Sequence, residues 1–97
     1  MSYARKESVA TITLDDGKVN ALSPAMQTEI NAALDQAARA AGSGEVKAVV
    51  LTGNSRVFSG GFDLSVFASG NTTAVLAMLA GGFELSVRCL TFPVPVI

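Results

Sequence analysis

The stretch "VFSGGFDLSVF", Val57 to Phe67, holds the residues whose types and spacing most invite chemistry. Gly60 and Gly61 lie side by side between Phe58 and Phe62, and Asp63 follows at once. Glycine serves where a backbone turns sharply or comes close to another group. The residues after Asp63 read as a short helix to about Ala68, with Asp63 as its N-cap. Amides at a helix start have no partner inside the helix. Several aimed at one point make a site for negative charge. On this reading Gly60 and Gly61 keep side chains away from those donors and let a ligand lie on bare main chain. A tight turn ending in an N-cap accounts for the same residues, and the loop alone does not separate the two. Val57 stands where a G-x-S-x-G nucleophile elbow needs its first glycine. The glycine spacing fits neither a P-loop nor a dinucleotide fingerprint.

What the chain lacks excludes other chemistries. It has no histidine, so a histidine base, a triad built on one and a histidine metal site are all absent. Its one cysteine, Cys89, lies in an apolar stretch and reads as a buried thiol rather than a nucleophile. Glu84 stands one helical turn before Arg88, which suggests a surface ion pair rather than a catalytic acid. Seven basic against eight acidic residues, a net charge of −1, leave no electrostatic footprint for nucleic acid or an anionic membrane. "MSYARKES" lacks the apolar core of a signal peptide. No uninterrupted apolar run approaches the ~20 residues of a membrane span. A reducing, cytoplasmic setting is the expectation.

The elements that must position the loop are legible in outline. Val9 to Leu14, "VATITL", alternates as a strand with Ala10, Ile12 and Leu14 on one face. "DDG" ends it with turn residues. Ser23-Pro24 starts a helix running to about Ala41, with Met26, Ile30, Ala33, Leu34 and Ala37 at helical spacing. Gly42 and Gly44 stop it. Val46 to Thr52 is a β-branched run that reads as a strand covered on both faces. A second long helix is expected from Thr72 to Leu90, its stripe formed by Val75, Leu79, Phe83, Val87 and Leu90. Gly81 and Gly82 lie within it, marking either close packing or a break. "FPVPVI" opens a last strand. Strand, helix, strand in this order is an α/β signal.

The chain has 97 residues, 49% hydrophobic and 15% charged, more apolar than a small free-standing domain comfortably hides. With "FPVPVI" ending on an unturned strand, the expectation is that residues 1–97 are the N-terminal part of a single larger domain. An unrelated small α/β binding module is the reading this argues against.

The wider pattern resembles the enoyl-CoA hydratase/isomerase (crotonase) family, from about Val9 to Ile97. Asn20-Ala21-Leu22 is similar to its N-A-L segment. Phe58 to Leu64 is similar to its F-[SC]-A-G-A-D-[LI] loop. The resemblance implies an α/β fold, a spiral of ββα turns of which this chain holds the N-terminal part, assembled as homotrimers or hexamers when complete. It implies an acyl-CoA substrate, no cofactor other than the coenzyme A of that substrate, and a backbone oxyanion hole that stabilises a thioester enolate. Hydration of a 2-enoyl-CoA, as in fatty-acid β-oxidation, is the leading activity. Isomerase, hydrolase and decarboxylase reactions stay open, as does a non-catalytic CoA-binding scaffold. By the same resemblance Gly60 supplies the N–H of the oxyanion hole. Lys18, Val19, Ala21, Gly61, Phe62, Asp63 and Leu64 line the acyl-CoA groove. Lys18 meets a phosphate or is a solvated turn lysine. Family members carry the second donor and the glutamates that handle water after the "VPVI" strand. Phe62 departs from the small residue usual there, either reshaping the acyl pocket or packing away from it.

Overall fold

The computed structural model describes all 97 residues. Strand β1, Ser2–Lys6, pairs antiparallel with β2, Val9–Thr13, and β2 pairs parallel with β3, Ala48–Thr52. The crossover between β2 and β3 contains helix α1, Pro24–Gly42, as a parallel pair requires. Short α2, Leu64–Ala68, and long α3, Thr72–Leu90, follow. The tail then runs along the free side of β3. Val49 donates to the Pro95 carbonyl, and Ile97 donates to the Val49 carbonyl, each at 2.8 Å.

Strand β1 has no counterpart in the sequence-based expectation. It is an edge strand with only Tyr3 half-buried, so it shows no apolar alternation. Its register with β2 comes from the hairpin, where Glu7 adopts a positive φ of 55°.

The core forms where one-sided patterns meet. Ala10, Ile12 and Leu14 of the β2 segment are fully buried, as are the expected α1 residues Met26, Ile30, Ala33, Leu34 and Ala37. Ser23 caps α1 by accepting from the Met26 amide at 3.1 Å, with Pro24 as the first helical residue. Gly44, at φ 80°, turns the chain out of it. Of β3, Val49 is fully buried while Val50, Leu51 and Thr52 stay half-exposed. Full cover on both faces, expected from sequence, is therefore not reached.

Helix α3 buries a different face from the one its largest residues suggest. Met78, Gly82 and Leu85 face inward. Phe83 is 71% exposed and Leu90 86% exposed, and Leu79 and Val87 are exposed too. The helix is apolar over most of its surface; by length and mean hydropathy (1.4) it matches a membrane-crossing helix. Hydrophobicity alone therefore cannot choose its buried side. Close approach to α1 chooses it. Gln27 of α1 donates to the Met78 carbonyl at 2.9 Å and to the Leu22 carbonyl at 3.1 Å. Its side-chain oxygen occupies the space a Cβ on Gly81 would need. The two glycines thus mark close packing in an unbroken helix. Arg88 reaches across to α1 rather than to Glu84. It donates to the Asn31 side-chain oxygen at 2.9 Å and to Asp35 Oδ1 at 2.6 Å.

This choice of face has a direct test. Leu85→Ala is expected to destabilise the chain by about 2–4 kcal/mol. Phe83→Ala, on the exposed stripe, should cost less than about 0.5 kcal/mol. Urea unfolding of the two variants measures both.

Candidate active site

Two segments that lie about forty residues apart in sequence are stitched together to build the site. Gly60 donates its amide to the Val19 carbonyl at 2.7 Å. Leu22 donates to the Gly61 carbonyl at 2.7 Å. Ser59 Oγ donates to the Asn20 carbonyl at 2.7 Å and accepts from the Gly61 amide at 3.1 Å. Asn20 Nδ2 donates to the Phe58 carbonyl at 3.1 Å. The result is a short ladder between Val19–Leu22 and Phe58–Gly61, closed by side chains as well as main chain.

Asn20 is the centre of this ladder. It is fully buried and sits at φ 53°, a left-handed conformation that asparagine tolerates better than most residues. Its Nδ2 also donates to the Leu14 carbonyl at 2.9 Å, and its Oδ1 accepts from the Asp16 amide at 2.9 Å. One side chain thus ties the end of the β2 segment, the turn after it and the glycine loop. The N-A-L match contained Asn20, but its structural task was missed. A polar residue between apolar ones, just after a "DDG" turn, was the available signal.

A cavity of about 480 Å³ opens beside the ladder. Lys18, Val19 and Ala21 line one side, and Gly60, Phe62, Asp63 and Leu64 line the other, joined by Asp16, Ser23 and Ser65. Of the residues implied by resemblance, Gly61 alone does not line it.

The expected role of the two glycines needs correction. The Gly60 amide is committed to Val19 and is not free for a ligand. Freeing it would leave the Val19 carbonyl without its donor. A Cβ on Gly60 would press on Val19 at 3.2 Å, so the glycine lets the two walls approach each other. Gly61 adopts φ 93° with open space where a Cβ would stand; it is there for its turn. The amides of Phe62 and Asp63 in the loop, and of Val19 and Ala21 opposite, have no acceptor within the chain. The Phe62 amide is also fixed in direction. It shares a planar trans peptide with the Gly61 carbonyl, and that carbonyl is held by Leu22. The Phe62 N–H therefore points away from Leu22.

Asp63 caps α2 as expected, accepting from the Ser65 amide at 2.9 Å and from Ser65 Oγ at 2.6 Å. Helix α2 has only five residues, so donation from this loop rests on individual amides and not on a long helix dipole. The Ser65 hydroxyl and amide hold the Asp63 carboxyl below the usual carboxylate range. The Lys18 and Asn20 amides do the same for Asp16. Both stay ionised at neutral pH, which makes them poor proton donors and weak bases there. Lys18 forms no ion pair and adds one positive charge to the cavity wall. Cys89 is half-buried rather than buried as expected; the desolvation it does meet pushes its thiol up, while Arg88 opposes that shift. Phe62 packs its ring on Gly82 of α3 and edge-on to Phe67, centroids 6.5 Å apart.

The chain is an α/β scaffold with a cavity between two loop segments, and the amides of Val19, Ala21, Phe62 and Asp63, all in residues of its lining, have no acceptor within the chain. Comparison with known proteins identifies the family. The model of the enoyl-CoA hydratase/isomerase family matches residues 4–97, and the chain belongs to that family. It is 34% identical to a probable enoyl-CoA hydratase of Bacillus subtilis over 99 residues, covering all of this chain and 37% of that protein. A probable enoyl-CoA hydratase structure from Mycobacterium tuberculosis superposes with a TM-score of 0.90 at 57% identity, covering 98% of this chain and 39% of the other. A second structure of that same protein, there described as an enoyl-CoA isomerase, gives 0.87 at 55% identity. The fold is thus the crotonase fold, and the chain spans under two-fifths of the length of these relatives.

Proposed function

We propose that this chain forms the acyl-CoA-binding wall of an enoyl-CoA hydratase, with the Phe62 amide as the donor to the thioester oxygen. One observation carries the reading: the Phe62 N–H lacks an internal acceptor, is oriented by the Leu22–Gly61 bond, and belongs to a residue lining the cavity. Water addition to a 2-enoyl thioester places negative charge on the carbonyl oxygen. A donor already aimed at that oxygen stabilises the charge without reorganising, typically by about 2.7–4 kcal/mol per donor. Lys18, Val19 and Ala21 form the opposite wall along which the CoA portion lies, with Lys18 meeting a phosphate. Asp63 and Leu64 hold the loop that closes the site.

The family membership and the relatives described as probable hydratases support this reading. The cavity holds two ionised aspartates and no group suited to proton transfer at neutral pH. The acid and base are therefore assigned to other parts of the whole protein. The description of the same tuberculosis protein as both hydratase and isomerase favours a second reading, movement of the double bond by proton transfer on the same bound thioester. It would use the same donor.

Calorimetric titration of the chain with crotonyl-CoA, CoA and free crotonate tests the proposal. Saturable binding strongest for the thioester, with no hydration of crotonyl-CoA by the 97 residues, is the expected result. Equal or absent binding of the three would contradict the site, and turnover by this chain would contradict the assignment of the proton-transfer groups elsewhere.

A further inference from the structure

We propose that Gly82 of α3 is a positioning residue for the Phe62 donor, acting through the Phe62 ring; this rests on the functional reading above. A glycine in mid-helix is unfavourable relative to alanine, yet Gly82 sits in the middle of a 19-residue helix and is buried. Its missing side chain has a defined occupant. A Cβ there would stand 2.6 Å and 2.7 Å from Cε1 and Cζ of Phe62, closer than carbon atoms pack without displacement. A second contact comes from Phe67 of α2, whose ring meets that of Phe62 at 89°. Phe62 thus touches two helices.

The placement matters because of what precedes it. Gly61 is at φ 93° with open space where a Cβ would stand, so no side chain at that position holds the turn. The Gly61–Phe62 peptide is fixed at its carbonyl by Leu22. The seated ring fixes the residue just beyond. A methyl at position 82 would push the ring off its seat and tilt the peptide whose N–H is the donor. The glycine on α3 and the aromatic residue in the loop therefore form one device.

The test compares affinity for acetyl-CoA with affinity for CoA, which has no thioester oxygen, in the wild-type chain, Gly82→Ala, Phe62→Ala, the double variant and Phe62→Leu. The wild type is expected to prefer the thioester by about tenfold, the scale of one hydrogen bond. Gly82→Ala should reduce that preference to less than about twofold while CoA affinity stays within about twofold. In the Phe62→Ala background the same change should alter the preference by less than about twofold. The carbonyl stretch of bound acetyl-CoA should rise in frequency in Gly82→Ala. Should Gly82→Ala not fold, Phe62→Leu, which leaves the seat partly empty, is expected to reduce the thioester preference to less than about twofold. A folded Gly82→Ala, or failing that a Phe62→Leu, that keeps the wild-type preference and carbonyl frequency overturns the inference alone. So does an equal loss on adding Gly82→Ala in both backgrounds. A wild type without any preference overturns the functional reading, and the inference with it.

Discussion

Replacing Asn20 with alanine is expected to cost about 3–5 kcal/mol and to dissolve the site before any ligand is added. Its buried amide satisfies the carbonyls of Leu14 and Phe58 and the amide of Asp16. A buried polar group left without its partner costs about 1–3 kcal/mol. Alanine at φ 53° adds about 1–2 kcal/mol of backbone strain. Thermal unfolding should show a loss of about 4–8 °C for each kcal/mol in a domain of this size. Glycine at the same position relieves the strain but not the orphaned carbonyls, so Asn20→Gly should recover only the strain component. A variant as stable as wild type would mean that the two segments of the site are held by something other than this side chain.

The second large effect is expected at Gly53, where β3 gives way to the loop. A methyl there would overlap the Val57 carbonyl and the Phe58 Cα. Both are main chain and cannot swing aside as a side-chain tip does. Asn54 holds that turn closed, its amide bonded to the Val57 carbonyl at 3.0 Å and its Oδ1 accepting from Arg56 and Val57. Gly53→Ala should therefore cost about 2–4 kcal/mol and displace Phe58, whose carbonyl is one of the Asn20 partners. Gly42→Ala is the matched control. It has open space and no positive φ, and should be neutral or stabilise by up to about 1 kcal/mol. Urea denaturation of the pair separates steric overlap from the general cost of replacing glycine.

The parts of this fold that were legible in the sequence are those where one face differs sharply from the other. Ala10, Ile12 and Leu14 alternate with threonines, and the α1 stripe faces polar Glu29, Asp35 and Gln36; both patterns name their buried side. Helix α3 names none, because Leu76, Leu79 and Phe83 are more apolar than the Met78–Gly82–Leu85 face that is buried. There the glycines decided the outcome, and they carry no hydrophobic signal. Strand β1 was invisible because an exposed edge needs no apolar pattern.

The site was legible as a place but not as a set of roles. Seven of the eight residues implied by the resemblance line one cavity. Which amide is free was not readable, because Gly60 is consumed by a main-chain carbonyl, that of Val19, and a carbonyl has no residue letter. The Phe62 ring raised the question of whether it reshapes the cleft or packs away from it. Its partner, Gly82, lies twenty residues on, and only the packing of α3 brings the two together.

The most direct measurement of this account is the amide spectrum of the nitrogen-labelled chain, recorded during parallel titrations with acetyl-CoA and CoA. The Phe62 proton is expected to move downfield with acetyl-CoA and not with CoA, while the Gly60 proton, already bonded to Val19, stays where it is. A downfield shift at Gly60 instead, or no difference between the two ligands at Phe62, would contradict the assignment of the thioester oxygen to the Phe62 amide.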